Sequence, residues 1–231
     1  MIAKILVSAC LSAAFSLSIA AQEASTKIKL RALLHDPLKP FAEMYVMGEE
    51  AKLVRLNLAL EGLTAAQIVT TNKGVLHLFS SDHIDPQKPL EHLIATATVS
   101  ETIKQAVVLI VPAAAGEKIP YRLMVIDDSF ATFPKGESRA INMTRQPLAL
   151  RVGEHSKEIP GAAVVGIPPV TKVNHMNQAQ TNFYIKQGDE WVILSERPLQ
   201  YTNDVRRLFL IYQMPNVDEP QIRTILDTSS P

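Results

Sequence analysis

The stretch Lys27-Ile28-Lys29-Leu30-Arg31-Ala32 decides the fold class. In an extended chain Ile28, Leu30 and Ala32 fall on one face and the three cations fall on the other. Alternation of period two marks a half-buried β-strand. The pattern recurs along the chain. Val54, Leu56, Leu58 and Leu60 alternate with Arg55, Asn57 and Ala59, and Leu148, Leu150 and Val152 alternate with Ala149 and Arg151. Two runs, 106–111 and 208–211, are apolar throughout and predict central strands covered on both faces.

Turn chemistry separates these runs. Asn72-Lys73-Gly74 and Gln187-Gly188-Asp189-Glu190 each sit between apolar segments and predict hairpin connections. Helical spacing is confined to Leu90, Leu93, Ile94 and Ala97, which allows one short helix or helical turn near 89–92. Fifteen prolines spread through the connections oppose long helices. About sixteen strands are expected, roughly eight on each side of 127–136. The expectation is an all-β protein of antiparallel β-sandwich type, with two sandwich-like domains in tandem. The boundaries are 1–21 for a signal peptide, 22–130 and 131–226 for the two domains, and 227–231 for a tail. A weak repeat is visible. Leu33-Leu34-His35-Asp36, with Phe41 five residues on, matches Val125-Ile126-Asp127-Asp128, with Phe133 five residues on.

The opening residues give an address. Lys4 precedes an apolar run of about 15 residues, shorter than the ~20 that a membrane span needs. The run ends in Ala20-Ala21, the layout of a cleavable export signal. The expected localisation is therefore periplasmic or secreted, with no transmembrane segment left after cleavage. Val7-Ser8-Ala9-Cys10 offers a second reading, as the site at which bacterial lipoproteins are cut and acylated. Cys10 is the only cysteine. Its loss with the leader would exclude disulfides, thiolate nucleophiles and thiolate metal sites from the mature protein. The 23 basic residues equal the 23 acidic ones, so no nucleic-acid partner is expected.

No nucleophile elbow, zinc-helix motif, P-loop or dinucleotide fingerprint is present, and no cofactor is expected. Asp82, His83 and Asp85, in a loop with His77 and His92 nearby, could ligate a divalent metal if they converge, which would suit a metal-assisted hydrolase. A polar loop between strands accounts for the same residues. Asp127-Asp128 could act as an acid–base pair or start a turn. His155 and His175 lack a nucleophile that the sequence singles out. The aromatic and arginine set near the C-terminus suits sugar or peptide recognition, with Tyr184, Trp191, Tyr201 and Arg206 as its candidate ligand-binding residues. The same rings could instead fill a core. The reading favoured is a non-enzymatic binding or scaffolding protein of the cell envelope, whose partner is an envelope protein or glycan.

Three segments carry a resemblance. They are Phe133-Pro134-Lys135-Gly136-Glu137-Ser138-Arg139-Ala140-Ile141-Asn142-Met143-Thr144, then Phe183-Tyr184 with Trp191, then Arg206-Arg207-Leu208-Phe209-Leu210-Ile211-Tyr212. Together they resemble an uncharacterised group of exported proteins from Verrucomicrobia and related bacteria. The resemblance covers mainly the second half. It implies a bacterial envelope setting and assigns no site. On its own chemistry, Asn142 is expected to hydrogen-bond backbone in an adjacent loop.

Overall fold

A computed structural model describes residues 25–35, 43–58, 62–85, 87–113, 116–214 and 216–229. The leader, Cys10, Asp36 and Phe41 lie outside the described residues. The protein is all-β, with sixteen strands among the described residues. The first half holds β1 (Ser25–Leu34), β2 (Tyr45–Met47), β3 (Leu53–Arg55), β4 (Gln67–Asn72), β5 (Val75–Phe79), β6 (Leu93–Thr98), β7 (Gln105–Pro112) and β8 (Tyr121–Asp127). The second holds β9 (Ser138–Asn142), β10 (Leu148–Val152), β11 (His155–Ile159), β12 (Ala163–Ile167), β13 (Gln178–Gln187), β14 (Glu190–Gln200), β15 (Arg206–Tyr212) and β16 (Gln221–Asp227). The stretch 89–92 forms turns, and the only helical element described is the short 3-10 turn Glu49–Ala51.

Both hairpins form where turn chemistry placed them. Lys73 and Gly74 have φ of 50° and 74°, the left-handed pair that a two-residue hairpin loop requires. The alternation over 54–60 overreaches, because the β2–β3 ladder stops at Arg55. There the Gln67 side chain takes over, accepting from the Asn57 amide and donating to the Arg55 carbonyl.

The strands form three sheets. In the first half β1 runs parallel to β7, β7 antiparallel to β8, and β1 antiparallel to β4, giving the order β4-β1-β7-β8. In the second half β9, β15, β16 and β12 repeat those relations and give β12-β9-β15-β16. The remaining strands match too, β3-β2-β5-β6 against β11-β10-β13-β14. Strand n of the first half thus corresponds to strand n + 8. The sequence repeat aligned the end of β1 with the end of β8, whereas strand order sets β1 against β9. In the first half the β4–β5 hairpin joins the two sets of four through Asn72 and Val75 into one eight-stranded sheet. In the second they stay separate.

Register sharpens the match. The His35 amide donates to the Ile110 carbonyl at 2.8 Å, and the Met143 amide to the Ile211 carbonyl at 2.8 Å. Leu33 then corresponds to Ile141, Leu109 to Leu210, Ile126 to Ile225, and Asp128 to Asp227. All six of these apolar side chains belong to one buried cluster between the halves. Alternate residues of the same strands face the other way. Leu30, Ala32, Ala106, Val108 and Ile110 enter the core of the first half, and Ala140, Phe209 and Ile211 that of the second. The apolar runs in β7 and β15 follow from this. Each lies inside its sheet, with one face in its own core and the other on the opposite half.

Arg31 departs from expectation for the same reason. Lys27 and Lys29 are exposed, but Arg31 is buried, because the second half covers the outer face of β1 at that point.

Candidate functional site

The β13–β14 hairpin carries the candidate binding residues Tyr184 and Trp191. A β-bulge interrupts it: Phe183 opposes Ser195, whereas Tyr184 opposes Ile193, leaving Leu194 unpaired. One extra residue flips the facing of everything beyond it. Arg197 and Leu199 therefore point inward on the far side of the bulge, while Trp191 and Ile193 point outward. Trp191 is 39% exposed and lies outside the core, at an end of the hairpin where Val192 on the opposite face is 37% exposed as well.

On that outer face Tyr184 pairs across to Ala149 of β10, which in turn faces Glu158 of β11. The methyl group of Ala149 leaves a gap beside the two rings. It forms a groove of about 390 Å³ lined by Ala149, Arg151, Lys157, Glu158, Tyr184 and Trp191. The Asn182 amide donates to the Tyr184 hydroxyl at 3.2 Å and itself accepts from Gln180 at 2.9 Å, so the tyrosine is held from beneath. Two ring faces edged by two cations and a carboxylate can stack a flat apolar surface and hydrogen-bond its polar rim.

The structure separates the other two residues of the expected set. Tyr201 is buried, its hydroxyl 2.7 Å from that of Thr181 and its ring 4.1 Å beneath the Arg207 guanidinium. Arg206 is 1% exposed and belongs to a charge cluster between the halves. Neither reaches the groove, because Tyr201 and Arg206 lie on inward positions of their segments.

The cluster joins Arg31, Asp128, Arg206 and Asp227. Arg31 donates to both oxygens of Asp128 at 2.7 Å and to both oxygens of Asp227 at 2.9 and 2.8 Å. Arg206 donates twice to Asp227, at 2.9 and 2.5 Å, and to the carbonyls of Asp128 and Phe133. Its guanidinium stacks 4.4 Å from the Phe130 ring. A cleft of about 510 Å³ opens above, with Lys29, Thr64 and Leu226 at its rim. Two cations balance two carboxylates here. Burial pushes the Asp227 carboxyl up, but hydrogen bonds from Arg31 and Ser229 outweigh it and hold the group well below the usual carboxylate range. Burial pulls the Arg31 guanidinium down, and Asp227 and Asp128 outweigh that in turn and raise it. The pairing thus holds Asp227 anionic and Arg31 cationic. The cluster reads as a bolt between the halves. Asp128 and Arg206 stand out in the sequence for other reasons, whereas nothing local marks Arg31 and Asp227, which meet only through long-range packing of β1 against the end of β16.

Asp82, His83 and Asp85 do not converge. Asp85 accepts from the Gln87 amide at 2.8 Å and Ser81 from the His83 amide at 3.2 Å, both as turn contacts. Among the described residues no group of three or more His, Cys, Asp or Glu side chains could hold a metal ion. Asn142 does what its position predicted. Fully buried, it donates to the carbonyls of Gln146 at 2.8 Å and Pro160 at 3.0 Å. No family model matches the chain, and no curated protein matches it either.

Proposed function

We propose that this is an exported, non-catalytic protein of the bacterial cell envelope that binds an envelope glycan or protein through the Tyr184–Trp191 groove. In this reading it is built as two β-sandwich domains in tandem, 22–130 and 131–226, bolted together by the Arg31–Asp128–Asp227–Arg206 cluster. The repeated strand order supports the tandem arrangement, and the leader-like run supports the address. The observation that supports the binding role is the groove in which Trp191, on the outward face beyond the bulge at Leu194, lies with Tyr184. A tryptophan kept half-exposed beside a second ring is a common device of recognition surfaces.

The chain has one tryptophan, so its fluorescence reports on the groove directly. Titration with fractionated envelope polysaccharides and envelope protein extract should shift and saturate that emission for one fraction. The same fraction should lose affinity for Tyr184→Ala. Emission that stays flat across all fractions would remove the groove as the recognition site.

A further inference from the structure

One sheet edge of the second half is left open. β14 ends the order β11-β10-β13-β14, and among the described residues no strand is hydrogen-bonded to its far side. In the first half the matching strand, β6, packs directly against β8, whereas β16 does not close on β14 in this way. A cleft of about 300 Å³, lined in part by Leu199, Thr224 and Leu226, lies between them. Where the two strands approach, Arg197 donates to the Thr224 hydroxyl at 3.3 Å. On that side of the bulge the edge is blunted by Glu196, Arg197 and Pro198, the last of which has no N–H to offer. Toward the hairpin tip it is not blunted. Ile193, 53% exposed, continues the exposed apolar run of Trp191 and Val192 on both faces of an unpaired edge.

The hairpin fixes which backbone groups are free there. Its loop is the two-residue Gly188-Asp189, closed by Gln187 and Glu190, and Gly188 has the φ of 62° that such a loop needs. The closing pair exchanges hydrogen bonds, and so does every second pair after it. Val192 therefore bonds to Ile185, whereas the N–H and C=O groups of Trp191 and Ile193 point away from β13. No turn, loop or side-chain hydrogen bond reaches them among the described residues.

We propose that β14 pairs with β14 of a second copy of this chain, antiparallel across a two-fold axis at Val192. Trp191 of each copy then opposes Ile193 of the other, so the free backbone groups of one copy meet those of its partner. The side chains agree with the backbone. On the outer face an aromatic ring meets a β-branched residue, and on the inner face Val192 meets its own counterpart. Glu190 falls against Leu194, so no like charges are opposed. An axis one residue on, at Ile193, would set Glu190 against Glu196. The unblunted stretch spans only residues 190–194, and a second copy matches it end to end in both hydrogen bonds and side chains. The axis stands perpendicular to the sheet, so two four-stranded sheets run into one and both Tyr184–Trp191 grooves open on the same face. The pairing holds whether or not those grooves take a ligand.

Sedimentation velocity of the purified protein from about 5 to about 500 µM brackets the weak association expected of a contact smaller than the ~800 Å² per partner of a standard interface. The sedimentation coefficient should rise from monomer to dimer across that range. Val192→Lys and Val192→Glu each set like charges face to face at the axis and should weaken the dimer about tenfold or more. Mixing the two variants sets opposite charges there and should restore it. A protein that is monomeric at every concentration overturns the proposal and leaves the edge to a strand of another protein. Variants that dimerise like the unaltered chain, or folded variants whose mixture stays monomeric, overturn it as well. If either variant does not fold, amide hydrogen exchange in the unaltered protein answers instead. Exchange at Trp191 and Ile193 should slow at the concentrated end, and rates that ignore concentration overturn the pairing. Ligand titrations of the groove run at the dilute end, so failure of one reading leaves the other standing.

Discussion

The two halves share a strand order and differ at one edge. In the first, β6 closes on β8 over Ala106 and Val125. In the second, β14 and β16 stay apart over Arg207 and Thr224. The faces turned toward each other tell the opposite story. Leu33 and Ile141, Leu109 and Leu210, and Ile126 and Ile225 occupy matching places and are all apolar and buried. Each half must present a surface that fits its counterpart, so the inner face is held to one chemistry. The outer edges meet solvent and are free to diverge. The open cleft and the bulged, aromatic hairpin both lie on that freer side of the second half.

The charge bolt tests how deep the likeness goes. Asp128 and Asp227 are matched by register, yet the hydrogen bonds are unequal. The Asp227 carboxylate takes both Arg31 and Arg206, whereas the Asp128 carboxylate accepts hydrogen bonds from Arg31 alone and only a 3.0 Å ion-pair contact from Arg206. Asp227→Ala leaves two buried guanidiniums short of a partner and should cost about 3–5 kcal/mol in chemical denaturation. Asp128→Ala should cost less, and equal losses would break the asymmetry. The pH dependence has a definite sign. A carboxyl whose folded pKa is depressed contributes stability that is present above its unfolded value near 4 and lost as pH falls below it. The urea midpoint should therefore drop from pH 5 to pH 3, and Asp227→Ala should flatten that drop.

Much of this was legible in the sequence, and the part that was not has a common cause. Period two marked the strands, the apolar runs at 106–111 and 208–211 marked β7 and β15 as central, and Gly74 and Gly188 marked two hairpins. All are local signals. Arg31 read as a solvated cation because alternation shows which side of a strand a residue takes and not what later covers that side. Trp191 could be read as core or as surface, because it opens a strand beside a tight turn with Val192, Ile193 and Leu194 apolar on both faces, and a one-residue bulge leaves no mark in composition. Of the four expected binding residues, Tyr184 and Trp191 meet because they share one hairpin. Arg206 was drawn away by contacts with residues up to 78 positions distant in sequence.

The shared interface gives a second comparison. Leu109 and Leu210 occupy matching places between the halves and are both buried. Truncation to alanine should cost each about 2–5 kcal/mol, with the two values alike to within about 1 kcal/mol. A much cheaper Leu109→Ala would show that the first half, joined into one sheet through Asn72 and Val75, relaxes around the void while the second cannot.

The smallest effect is expected on the bulged hairpin, where neighbours in sequence part company. Phe183 lies wholly in the core against Phe209, ring centres 5.3 Å apart, and Phe183→Ala should cost about 3–5 kcal/mol. Trp191, across the bulge, faces outward and supports no core, so Trp191→Ala should change stability by no more than about 0.5 kcal/mol. That indifference is the point of the experiment. A large ring that the fold can lose at no cost is retained for something other than folding. A Trp191→Ala protein that unfolds as readily as Phe183→Ala would return the ring to the core, and the groove beside Tyr184 would then be packing rather than a site.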